Sequence, residues 1–127
     1  SKFMPIQDKA TVHDKLAPCR VTYYLGDQQA ELGTSVSFHE RGMLVKCDKP
    51  VQLNKRLRLV LKFPGLEQTL EIQGIVVWTN IHGPADELTP RAMGIKFLSL
   101  DRNVERLLAK LASHYEAQGG AYRCLYS

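Results

Sequence analysis

Residues 56–65, RLRLVLKFPG, place Leu57, Leu59, Leu61 and Phe63 on one side and Arg56, Arg58 and Lys62 on the other, then close on a proline-glycine turn. Side chains of an extended chain point alternately to opposite faces, so this stretch predicts a strand with one face on a core and the other in water. That division is the habit of antiparallel sheets. Residues 68–78 resume the alternation past the turn, with Leu70, Ile72, Val76 and Trp78 inward and Glu71 and Gln73 outward. Trp78 therefore reads as a core anchor. Ile75 and Val77 fall on the outer face, which predicts that something covers that end.

The rest of the chain follows the same grammar. Residues 19–25, CRVTYYL, are β-branched and aromatic, and Gly26-Asp27 offers a turn before a second strand over 28–36. Residues 42–47 read as a short strand ended by Asp48-Lys49-Pro50, and Met93, Ile95 and Phe97 form one face of a last strand. Between them, residues 80–90 hold Gly83, Pro84 and Pro90, a loop longer than most hairpin connections. From Asp101 the period changes to that of a helix, with Val104, Leu107, Leu108, Leu111 and Tyr115 on one stripe. Asp101 is placed to cap its start, and Gly119-Gly120 to stop it. The expected fold class is all-β with a terminal amphipathic helix: a small antiparallel barrel or sandwich whose open end or side the helix covers. Residues 1–18 read as an irregular N-terminal segment, 19–118 as the folded unit and 119–127 as a tail.

At 127 residues the chain is long enough for one core and too short for two. Its longest apolar run, residues 74–78, is far below the roughly 18 residues a spanning helix needs. Seventeen Lys and Arg against thirteen Asp and Glu leave a charge of +4, which favours a small anion over a polymeric nucleic acid. Cys19, Cys47 and Cys124 are an odd number at wide spacings, signalling neither a disulfide framework nor a zinc site and pointing to the cytoplasm.

No catalytic context is legible. His13, His39, His82 and His114 sit in no G-x-S-x-G, H-E-x-x-H or P-loop pattern, so the chain reads as non-enzymatic. Arg102 and Arg106, four apart, share an exposed helix face and read as solvated. The stripe of Arg56, Arg58 and Lys62 reads as the wet side of a sheet, with nucleic-acid docking as the rival.

Three stretches in order, SFHERGMLVKCDKPVQLNKRLRLVLKFPG, LEIQGIVVWTN and RAMGIKFLSLDRNVERLLAKL, together resemble the PilZ domain, a bacterial family of cyclic di-GMP receptors. The resemblance implies a six-stranded antiparallel β-barrel followed by a C-terminal helix. It also implies a signalling module that relays cyclic di-GMP status to a partner protein, with a ligand-independent protein-interaction adaptor as the alternative. Receptors of the family carry an Arg-x-x-x-Arg segment before the first strand and an Asp/Asn-x-Ser-x-x-Gly turn. With Gly42 on the motif glycine, Ser37 stands where Asp or Asn is expected and His39 where Ser is expected. Lys9 and His13, themselves four apart, fall near the two arginine positions. Arginine grips a phosphate bidentately, whereas lysine is a point charge and histidine a partial one. Weakening two charge-assisted contacts costs about 2–4 kcal/mol, roughly 30- to 1000-fold in affinity. Arg20 and Arg41 are the residues that could compensate, so the candidate cyclic di-GMP set is Lys9, His13, Arg20, Ser37, His39, Arg41 and Gly42. Gly42 itself is expected to serve a turn that needs a residue without Cβ.

Overall fold

A computed structural model describes residues 17–83 and 90–114. Lys9, His13 and Cys124, and with them nearly all of the lead-in, the middle of the 80–90 loop and the tail, lie outside the described residues. Among the described residues, β1 (Cys19–Tyr24), β2 (Glu31–His39), β3 (Gly42–Cys47), β4 (Arg56–Lys62), β5 (Leu70–Thr79) and β6 (Ala92–Leu98) precede one helix, α1 (Arg102–Ala112). The strands close into an antiparallel barrel in the order β1-β2-β3-β6-β5-β4. Four antiparallel pairs, β1–β2, β2–β3, β4–β5 and β5–β6, join neighbours in the chain, while β1–β4 and β3–β6 close the barrel between strands far apart in it. Closure leaves no free sheet edge to pair with another chain.

The alternation works as expected in β4: Leu57, Leu59 and Leu61, with Phe63 just beyond, are buried. Met93, Ile95 and Phe97 of β6 are buried as well. Register carries one interior layer across four strands, Phe38 opposite Met43, Met43 opposite Ile95 and Ile95 opposite Val76, all of them core residues. Two glycines let the wall close up. A Cβ on Gly33 would lie 2.6 Å from Val45 Cγ1 and 2.7 Å from the Lys46 carbonyl oxygen, and one on Gly74 would lie 2.5 Å from Ile95 Cγ2.

Helix α1 starts where its cap was expected, with Asp101 Oδ1 accepting the Val104 N–H at 2.8 Å. It buries Leu108 and Ala112 in the barrel core, with Val104 and Leu111 partly buried beside them. Arg102, Arg106 and His114 stay exposed, as solvated positions should. The helix ends at Ala112, ahead of Gly119-Gly120; Ser113 closes it, its hydroxyl donating to the Lys110 carbonyl at 2.8 Å.

Two expectations are corrected by the fold. Trp78 is not a core anchor. The register of β5 against β6 shifts between Val76 and Trp78, and one extra residue in a strand turns the residues beyond it to the other face. Trp78 is therefore partly buried against Leu44 and Ala92, a small cluster outside the main core, and Val77 in the bulge is 36% exposed. The second strand also runs further than residue 36. Phe38 points inward and extends β2 to His39, leaving Glu40 and Arg41 as the whole turn.

Burial sets the chemistry of the thiols. Desolvation pushes the Cys19 thiol from 9.0 up to about 12, opposed by a hydrogen bond involving the Lys62 backbone. Desolvation likewise raises Cys47 and the Tyr23 hydroxyl; that hydroxyl donates to the Lys49 carbonyl at 2.7 Å. Between pH 9 and 12 the folded chain keeps a proton on Cys19 that the unfolded chain has lost. This stabilisation is complete below pH 9 and is lost as pH rises toward 12, with a slope approaching about 1.4 kcal/mol per pH unit. Urea midpoints are expected to fall steadily above pH 9, and Cys19→Ala is expected to flatten the decline. A midpoint independent of pH up to 11 would contradict the burial of these groups.

Candidate functional site

The β2–β3 hairpin carries the residues on which the motif comparison turns. Its register shifts between Thr34 and Ser37, and the buried Ser35 hydroxyl holds the irregularity, accepting the Ser37 N–H and donating to the Ser37 carbonyl, both at 3.3 Å. Past the bulge, Ser37 and His39 belong to the outer face and Phe38 to the core. Ser37 is itself only 4% exposed. At the corner, the His39 Nδ1 accepts the Arg41 N–H at 3.0 Å, an i to i+2 bond of the kind short polar side chains use to hold turns. The Arg41 carbonyl accepts the Phe97 N–H at 2.7 Å, tying the corner to β6. Gly42 does not need a left-handed backbone, since the positive-φ glycines are Gly26 and Gly65. Gly42 is buried and opens β3 directly between His39 and Lys96.

Cross-strand register assembles that outer wall. Ser37 lies opposite Leu44, Leu44 opposite Gly94 and Gly94 opposite Trp78, a row over β2, β3, β6 and β5. Three interstrand gaps of about 4.8 Å make it roughly 14 Å wide. On one side runs the row Lys62, Arg20, Thr34, Lys46, Ala92. On the other runs His39, Gly42, Lys96, Ile75, Arg56. This row, in which Ser37, Leu44 and Gly94 are buried and the indole of Trp78 partly so, has cations in the neighbouring rows on both sides.

Those cations divide by what they already hold. Arg58 is 3.3 Å from Glu71 and stacks 3.9 Å above the Tyr24 ring. The Lys62 ammonium donates to the carbonyls of Leu66 and Glu67. Arg91 ties the base of the long loop, donating to the carbonyls of Asn80 at 3.2 Å and Gly83 at 2.6 Å. Among the described residues the ion pairs are Lys49–Glu31 and Arg58–Glu71; Arg20, Arg41, Lys46 and Lys96 belong to neither and are exposed. A face with exposed, uncommitted cations beside an aromatic edge suits a phosphate-bearing, planar ligand.

Of the expected set, the structure brings Arg20, Ser37, His39 and Gly42 onto one outer face with Arg41 at its corner, and leaves Lys9 and His13 outside the described residues. Sequence reading missed Lys46 and Lys96, which alternation marks only as outward positions, and Trp78, which it turned inward. A register bulge has no signature in residue types, so nothing in the sequence marked that reversal. A cleft of about 270 Å³ elsewhere on the barrel is lined by Tyr23, Glu31, Lys49 and Gln52 among others, and none of the expected residues borders it.

The family model that matches is that of the PilZ domain, over residues 16–113. Among similar solved structures is the PilZ domain with c-di-GMP of YcgR from Escherichia coli, 14% identical, with a TM-score of 0.62, over 82% of this chain and 86% of that one. Another is the Bacillus subtilis inhibitor of motility MotI/DgrA, 15% identical, with a TM-score of 0.56, over 82% of this chain and 49% of that one. The chain therefore spans about half of the Bacillus protein. No curated protein matches it.

Proposed function

Because the chain belongs to the PilZ domain family, we propose that it is a non-enzymatic bacterial signalling module that relays cyclic di-GMP status to a partner protein. In this reading the dinucleotide lies on the outer wall. The observation that carries it is the row Ser37, Leu44, Gly94, Trp78 with uncommitted cations on either side. Arg20 and Lys46 supply charge for one phosphate from the first flank, Lys96 and Arg41 for the other from the second, and the indole of Trp78 offers a face to a base. Compared with the family motif, charge is retained and bidentate geometry is reduced, so the affinity is weak. The structure of YcgR in complex with c-di-GMP supports the choice of ligand. Residues 1–18, with Lys9 and His13, are the segment this reading expects to order over the ligand.

Two observations favour a ligand-independent adaptor instead: the His39 Nδ1 is committed to the corner through the Arg41 N–H, and Ser37 is buried. The two readings separate in one titration. Trp78 is the only tryptophan of the chain and stands on the row, so its fluorescence reports occupancy directly. Cyclic di-GMP is expected to produce a saturable change, weakened about 10- to 150-fold by Arg20→Ala and unaffected by Arg102→Ala on the helix. No change up to about millimolar ligand would retire the dinucleotide and leave the adaptor.

A further inference from the structure

We propose that the outer face of β4, β1 and β2 is a docking surface centred on Leu32, for a protein partner whose contacting surface is acidic around an aliphatic or aromatic side chain. Leu32 is 74% exposed, the most exposed large hydrophobic among the described residues. A lone surface leucine is ordinary; its surroundings are not. It lies in register with Thr22, and Thr22 with Val60, so the row across the three strands is uncharged. The next row on one side is Lys62, Arg20, Thr34, Lys46, and on the other Arg58 beside Tyr24. Of the acids near this face, Glu71, opposite Val60, is already paired to Arg58, and Asp48 follows Cys47, the partner of Gly33, at the end of β3; the cations Arg20, Lys46, Arg58 and Lys62 outnumber them.

On the same face Arg20 lies directly opposite Lys62. Like charges directly opposite across an antiparallel pair cost stability. The carbonyls that hold the Lys62 ammonium leave its charge in place. The barrel's own stability gains nothing from two cations facing each other there, and an acidic partner would neutralise both. The alternatives fit less well. A second copy would set this cationic face against itself. Nucleic acid makes no use of an exposed leucine, and the nearest ring, that of Tyr24, is covered by Arg58 at 3.9 Å. A flat sheet face with one aliphatic side chain buries too little in a bilayer for stable attachment.

The inference shares with the proposed function the premise of a protein partner and the flanking cations Arg20 and Lys46, whereas Leu32 lies off the dinucleotide row. The test is a photoreactive amino acid at position 32 of the full-length protein in the cells that make it, with position 53 as the exposed control (Leu53 is 52% exposed). The expected result is one protein adduct at position 32 that position 53 does not give, with an excess of Asp and Glu in the cross-linked peptide. With both proteins purified, Leu32→Glu and Thr22→Glu are each expected to weaken binding at least about tenfold, and added salt to weaken it further. The cyclic di-GMP titration of Leu32→Glu is expected to be unchanged. Adducts with nucleic acid, lipid or a second copy, a neutral or basic contact peptide, the absence of an adduct specific to position 32, or binding indifferent to both substitutions would each overturn the proposal.

Discussion

Gly33→Ala is expected to lower the unfolding free energy by about 3 kcal/mol, the upper part of the range for overpacking a close-packed site. The reason is the nature of the obstruction. The new methyl would meet Val45 Cγ1 at 2.6 Å and the Lys46 carbonyl oxygen at 2.7 Å. A side-chain carbon can swing away, but the backbone oxygen belongs to β3, opposite Gly33 in the β2–β3 pairing. The two strands would have to part beside the bulge that sets the outward direction of Ser37. A domain of this size has about 5–15 kcal/mol in all, so the loss is a large share of it. Gly26→Ala is the comparison: no atom lies within 4 Å of its Cβ position, but its φ of +61 is left-handed, and it is expected to lose about 1 kcal/mol. Urea denaturation of both variants decides the matter, and a Gly33→Ala variant more stable than Gly26→Ala would contradict the close approach of β2 and β3.

Phe63→Ala is expected to cost about 3–5 kcal/mol, the usual loss for a fully buried phenylalanine. Phe63 has no exposed surface, and its ring lies 5.1 Å from that of Phe38 at 47°, a tilted arrangement that contributes beyond simple burial. Both rings belong to the same core as Leu108 and Ala112 of α1. Removing one ring opens a cavity that its neighbours fill only in part. Phe38 sits between Ser37 and His39, so the loss should reach the candidate site by loosening the corner that both flank. Phe63→Leu, which keeps most of the volume, is expected to cost about 1–2 kcal/mol. Calorimetric unfolding of the two variants tests this, and a loss below about 1 kcal/mol for Phe63→Ala would mean that the ring is not part of the core.

The legible parts of this protein are those governed by near neighbours. Leu57, Leu59, Leu61 and Phe63 could be assigned to the core from their spacing because the period of a strand is a property of the backbone. Asp101 could be assigned as a cap because an unpaired N–H lies within reach of its own side chain. The candidate site was legible only in part. Arg20 and Gly42, singled out from the sequence, lie on the outer wall, whereas Lys46, Lys96 and Trp78 entered it through register. Ser37 could be aligned with a motif, yet its burial depends on strands that its sequence neighbourhood does not include.

The sequence by itself determined which residues face a core within each strand, where the helix begins, and a family resemblance strong enough to imply a six-stranded barrel. The tertiary structure alone decided how the wall closes, through the pairing of β1 with β4 and of β3 with β6. It also decided which way Trp78 points and which cations flank the row that begins at Ser37. The physical reason is one of range: periodicity and capping act over a few bonds, whereas a bulge and a barrel closure are settled by contacts between segments tens of residues apart.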